Sequence, residues 1–68
     1  MGVSYKKLWK LLIDREMSKV ELRETTGVAA STFSKMSKNE YVSLEVLVKL
    51  CIALDCEISD IVEVVRKG

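Results

Sequence analysis

The chain has no proline and no histidine, and its three glycines are Gly2, Gly27 and Gly68. Without proline, and with Gly27 the only glycine away from the ends, a turn-rich β fold lacks its usual punctuation, and stretches of Leu, Lys, Glu and Val favour helices. Without histidine, the usual general base and the commonest neutral metal ligand are both missing. The only thiols, Cys51 and Cys56, are five residues apart, a spacing that matches no zinc or redox pattern. Within one helix that spacing would hold their Cα atoms too far apart for a disulfide. The expectation is therefore that Cys51 fills the core and Cys56 sits near a helix end, both reduced, in a cytoplasmic protein. No long apolar segment follows Lys6 and Lys7 to act as a signal peptide or membrane span, so no membrane association is expected.

What remains is enough for one small core. Of 68 residues, 49% are hydrophobic, which argues against disorder. The whole chain, 1–68, reads as one domain of the all-α class. Net charge is only +1, but it is unevenly placed. Up to Asn39 there are eight cations (Lys6, Lys7, Lys10, Arg15, Lys19, Arg23, Lys35, Lys38) against four carboxylates (Asp14, Glu16, Glu21, Glu24), 8 − 4 = +4. From Glu40 onward three cations face six carboxylates, 3 − 6 = −3. A basic half suits an anionic partner.

Five short helices are predicted. Ser4 caps the first, with Tyr5, Leu8, Trp9 and Leu12 as its inward stripe. Ser18 and Glu21 form a capping box for the second, which ends at Gly27 in a left-handed cap. The third begins near Ala29 or Ala30 and runs to about Lys38, followed by a loop in which Asn39 suits a left-handed turn. Ser43 caps the fourth, with Val46, Leu47, Leu50, Cys51 and Leu54 facing in. Ser59 caps a fifth, with Asp60 in its first turn, Arg66 and Lys67 beyond its middle, and Ile58, Ile61, Val62 and Val65 inward. Trp9 and Tyr41 are further candidates for an exposed contact, although Trp9 is expected in the core.

The stretch of about 18–38 carries the functional signal. A capped helix, a glycine turn and a second short helix make a helix-turn-helix spacing, and Leu22, Val28, Phe33 and Met36 can share one core. Taking Ala30 as origin at about 100° per residue, Ser34 falls near 40°, Ser31 near 100° and Lys35 near 140°, while Met36 and Phe33 fall near 240° and 300°. Burying Phe33 and Met36 therefore turns Ala30, Ser31, Ser34 and Lys35 outward. Slim side chains plus a few donors are what a helix needs to enter the major groove.

The run SKVELRETTGVAASTFSKMSKNE, followed by SLEVLVKLCIALDCEISDIVE, resembles the Cro and phage-repressor type of helix-turn-helix regulator, the XRE family, from Leu8 to Glu63. The resemblance implies a compact five-helix lambda-repressor-like domain. It implies base contacts from Ala30, Ser31 and Lys35, with Ser34 close by on the same face, and phosphate contacts from Ser18 and Lys19 and from the loop Lys38 to Ser43, which includes Asn39. Three positions depart from the family pattern. Arg23 stands where a small residue is common, so it must turn outward or reach the DNA backbone. Ala29 stands where Ser or Thr often caps the recognition helix, a loss of about 1 kcal/mol. Asn39 and Glu40 replace a glycine and a basic residue, and Glu40 would repel phosphate if it faced DNA.

The sequence thus reads as a sequence-specific double-stranded DNA-binding transcriptional regulator acting on a palindromic operator, with a homodimer formed through the C-terminal helix. No cofactor, no metal and no small-molecule ligand are expected. With no histidine, no glycine-rich loop and no paired carboxylates in a pocket, an enzyme is not expected. The alternative is a protein-interaction module of the same fold, antitoxin-like or anti-activator, for which the acidic C-terminal half and Glu40 speak.

Overall fold

The computed structural model describes residues 2–66. The element order is β1 (Gly2–Ser4), α1 (Lys6–Asp14), α2 (Lys19–Thr26), α3 (Ala30–Ser37), α4 (Leu44–Leu54), a 3₁₀ turn (Ile58–Asp60) and β2 (Glu63–Val65). Local chemistry sets the helix limits. Ser18 Oγ accepts the Glu21 amide at 3.1 Å and Ser43 Oγ accepts the Val46 amide at 3.2 Å, so α2 and α4 start at hydroxyl caps. Helix α2 stops at Gly27, whose φ of 73° is left-handed and whose amide bonds to the Arg23 carbonyl at 2.8 Å. Helix α4 stops at Asp55, also left-handed.

The core gathers one stripe from each helix. Leu8 and Leu12 of α1, Leu22 of α2, Phe33 and Met36 of α3, and Leu50, Cys51 and Leu54 of α4 are buried with Tyr5, Val28 and Ile61. Tyr5 ties the start of α1 to the loop after α3. Its hydroxyl donates to the Glu40 carbonyl at 2.7 Å, and its amide donates to Asn39 Oδ1 at 3.2 Å. Asn39 is left-handed at φ 57°, which turns its side chain to that bond.

Two expectations fail at the ends of the chain. The described residues contain four α-helices rather than five, and the domain is not all-α: β1 and β2 pair antiparallel, with Gly2 opposite Val65, Val3 opposite Val64 and Ser4 opposite Glu63. The expected fifth helix is only the turn Ile58–Asp60, and Lys67 lies outside the described residues. The run Ile61–Val65 includes four β-branched residues, and pairing with β1 outweighs its weak helical period. Ser4 belongs to β1, and Tyr5 takes the N-cap position of α1, although Ser4 Oγ still accepts the Lys6 amide at 3.3 Å. Of the predicted inward stripe, Ile61 is buried, Ile58 and Val62 are half-buried and Val65 is exposed. A dimer through a C-terminal helix therefore has no such helix to use within residues 2–66. No helix of the described residues is long and apolar enough to cross a membrane.

Candidate nucleic-acid interface

Helices α2 and α3 are joined by three residues, Gly27, Val28 and Ala29. Gly27 reverses the chain and Val28 plugs it into the core. Thr26 closes the corner: its hydroxyl donates to the Leu22 carbonyl at 2.8 Å and accepts the Val28 amide at 3.3 Å. Helix α3 then begins at Ala29, which is extended and has no side-chain cap.

Burial of Phe33 and Met36 fixes the rotation of α3, and Ala30, Ser31, Ser34 and Lys35 are all exposed. At its N-terminal end the face is slim; Lys35 supplies its cation. Ser18, Lys19, Lys38, Asn39 and Ser43 are exposed around it, and Arg23 is half-buried. The caps leave functional capacity. Ser18 and Ser43 use oxygen lone pairs on the backbone, so each hydroxyl proton is free to donate. Asn39 is different, because its carbonyl oxygen is committed to Tyr5 and only its NH₂ remains.

A cleft of about 200 Å³ runs between α2 and α3, lined by Lys19, Val20, Arg23, Ala30, Ser34 and Ser37 over Phe33. Lys19 is held at its edge. Its ammonium lies 4.0 Å from the centroid of the Trp9 ring and 3.5 Å from Ser37 Oγ, which links α1, α2 and α3 through one cation. Trp9 in turn meets Phe33, ring centroids 6.5 Å apart and planes tilted by 43°. The sequence marks neither Trp9 nor Ser37 as a DNA contact, and it offers Trp9 only as a core residue or a general surface contact. Trp9 fits a core stripe equally well, and only the folded packing brings Lys19 over its ring. Among the described residues the one ion pair joins Lys49 to Glu45 at 3.5 Å. Lys19, Lys35 and Lys38 thus carry no carboxylate partner there, and all three residues are exposed. The side chain of Glu40 is exposed in a shallow recess that Lys35, Asn39 and Tyr41 share.

A short capped helix, a three-residue glycine turn and a second helix with a slim, cationic outer face define a helix-turn-helix DNA-binding domain. The chain belongs to the Cro/C1-type helix-turn-helix DNA-binding family, which it matches over residues 7–67. It is similar to the crystal structure of the transcriptional regulator VanUg, with 57% identity and a TM-score of 0.93 over 97% of this chain and 88% of that one. No curated protein matches the chain.

Proposed function

We propose that the chain is a sequence-specific transcriptional regulator that places α3 in the major groove of double-stranded DNA. The observation that carries this reading is the outer face of α3, where Ala30, Ser31, Ser34 and Lys35 are exposed and Lys35 has no ion-pair partner among the described residues. Lys35 donates to a purine edge, most simply guanine O6 or N7. Ser31 and Ser34 offer hydroxyls to bases, and Ala30 permits close approach or meets a thymine methyl.

Phosphate contacts fix the register. Ser18 and the free amides at the start of α2 face one strand's backbone, with Lys19 and Arg23 beside them. Lys38, the Asn39 amide group and the Ser43 hydroxyl supply the second clamp. Affinity then falls steeply with salt, because each neutralised phosphate releases condensed counterions.

One module of this size buries too little surface for tight specific binding, so two copies meet on a palindromic operator. The α4 surface supports the pairing. Leu44, Val48 and Ile52 stand in one i, i+4, i+8 row and are 64%, 41% and 76% exposed. Their row is bordered by the Glu45–Lys49 pair. Two such rows packed antiparallel bring each Lys49 toward the other copy's Glu45, so the patch complements itself.

The test is a titration of the purified protein against the DNA upstream of its own operon and a scrambled duplex, at two salt concentrations. Preference for the native fragment, weakened by salt and lost in Lys35→Ala, is the expected result. Equal or absent binding to both duplexes would overturn the reading in favour of a protein-interaction module.

A further inference from the structure

The two cysteines that sequence spacing kept apart are brought together by the end of α4. Asp55 is left-handed, with φ 51° and ψ 56°, and it folds the chain back over the last turn. The Cys56 amide then donates to the Cys51 carbonyl at 3.0 Å, and the Asp55 amide to the Ile52 carbonyl at 3.4 Å. This is the 6→1 and 5→2 pattern of a Schellman cap, in which the side chains of those same 6→1 partners meet. Here both partners are cysteines. They line one open cleft of about 340 Å³ with Val48, Ile52, Glu57 and Ile58.

We propose that Cys51 and Cys56 form a thiol pair that closes to an intramolecular disulfide on reaction with a small-molecule disulfide. The two thiols have unequal roles. Cys56 is half-buried and borders a second cleft with Lys10, Asp14, Arg15 and Asp60, so it is the accessible nucleophile. Cys51 is buried in the core and resolves the intermediate. Burial pushes the Cys51 thiol up to about 11, and the nearby Cys56, Glu57 and Asp60 push the same way. The Cys56 thiol is also raised, first by burial; the Cys51 thiol and Arg15 oppose the rise, while Asp60 and Glu57 add to it.

In the first step Cys56 loses its proton, its thiolate attacks one sulfur of the reagent RSSR, and RS⁻ leaves with the electron pair of the broken S–S bond. In the second, Cys51 loses its proton and attacks Cys56 Sγ, expelling the second RS⁻. The two released protons convert both leaving groups to RSH. The protein pair is oxidised by two electrons and the reagent disulfide is reduced by two. This inference uses neither α2 nor α3 and so stands apart from the DNA contacts, although its cleft shares Val48 and Ile52 with the α4 row proposed to pair.

The experiment incubates the reduced full chain with hydroxyethyl disulfide, the neutral dimer of mercaptoethanol, and reads the products by alkylation and mass spectrometry. Wild type is expected to end with Cys51 joined to Cys56 and no adduct. Cys51→Ala is expected to keep a mercaptoethanol adduct on Cys56, and Cys56→Ala to react at least about tenfold more slowly than wild type. A check that needs no variant is the disulfide-to-dithiol ratio at fixed thiol and disulfide concentrations, in native buffer and in urea. The ratio is expected to be at least about tenfold higher in native buffer. An equal ratio in urea, a lasting adduct on wild-type Cys56, or two free thiols under the most oxidising mixture would overturn the proposal.

Discussion

Lys19 holds its ammonium 4.0 Å above the ring of Trp9 and 3.5 Å from Ser37 Oγ, so one flexible side chain of α2 is gripped by α1 and α3. A lysine is ordinarily a mobile cation that loses rotamer freedom when it meets a phosphate. Here part of that ordering is complete before DNA arrives. Trp9→Leu should keep the fold but release Lys19, weakening cognate and scrambled duplexes alike by about 0.5–1 kcal/mol. Because Trp9 is the only tryptophan, its fluorescence should change on DNA binding in wild type and stay unchanged in Lys19→Ala for the same bound fraction. A loss confined to the cognate site would show that Trp9 acts through α3 instead.

Lys35 and Lys19 are both exposed cations without carboxylate partners among the described residues, yet they stand on different elements of the motif. Lys35→Ala should cost about 1–3 kcal/mol on the native operator and relax preference at one base pair. Lys19→Ala should weaken every duplex and reduce the salt slope by about 1. Competition titrations over a single-base-substituted operator set separate the two. Identical profiles for both variants would remove the division between base and phosphate contacts.

The N-terminal end of α3 is undercapped. Ala29 has the extended backbone of an N-cap residue, φ −64° and ψ 147°, but offers no oxygen to the first-turn amides. Ala29→Ser should therefore stabilise the fold by about 0.5–2 kcal/mol. On a domain of this size each kcal/mol raises Tm by about 4–8 °C, so thermal unfolding followed by circular dichroism resolves the gain. No rise in Tm would mean that the α3 amides are already satisfied by water at no net cost.

That weak cap shows what kind of information the sequence carries. Ser18, Gly27 and Ser43 act on atoms within four residues of themselves, and the two ends of α2 and the start of α4 were legible from them. The rotation of α3 was legible too, because Phe33 and Met36 leave only one face to bury. Strands β1 and β2 were not. Each is three residues long, and Gly2 meets Val65 from the opposite end of the chain, so neither segment alone reveals its partner. The β-branched run Ile61, Val62, Val64, Val65 was the available signal, overshadowed by a helical period of the same residues. The Cys51–Cys56 contact was hidden for another reason: it depends on Asp55 adopting a conformation that only a minority of non-glycine residues take.

The raised thiols of Cys51 and Cys56 and the raised Tyr5 hydroxyl should limit stability at alkaline pH. The Cys51 thiol is raised from its ordinary 9 to about 11, chiefly by burial. The Tyr5 hydroxyl is raised from 10, again chiefly by burial, partly opposed by the Val42 backbone. A raised value favours the protonated form in the folded state. The stabilisation is thus fully present below the unfolded value and is lost as pH rises through the folded one. Stability of the reduced chain should fall from about pH 9, the ordinary thiol value, to about pH 11. Cys51→Ala should flatten the first part of that limb and Tyr5→Phe the later part. Tyr5→Phe should also cost about 1 kcal/mol at neutral pH by leaving the Glu40 carbonyl without its donor. Urea midpoints from pH 7 to 11 in wild type and both variants check the sign, and an unchanged slope in Cys51→Ala would refute the thiol's part.

The aliphatic row on α4 makes the last prediction. Leu44, Val48 and Ile52 face away from a core already filled by Leu50, Cys51 and Leu54, so replacing them has little to break inside the domain. Surface changes away from special features usually stay within about 0.5 kcal/mol. Val48→Glu should accordingly leave Tm nearly unchanged while placing two like charges at the centre of a paired interface. Sedimentation at rising concentration should show wild type associating and the variant remaining monomeric. On a palindromic operator the variant should bind in two independent steps rather than one cooperative step, with half-site affinity preserved. If wild type stays monomeric at all concentrations and yet binds the palindrome cooperatively, pairing arises on DNA through another surface, and the exposed edges of β1 and β2, where Val64 is 68% exposed, become the place to mutate next.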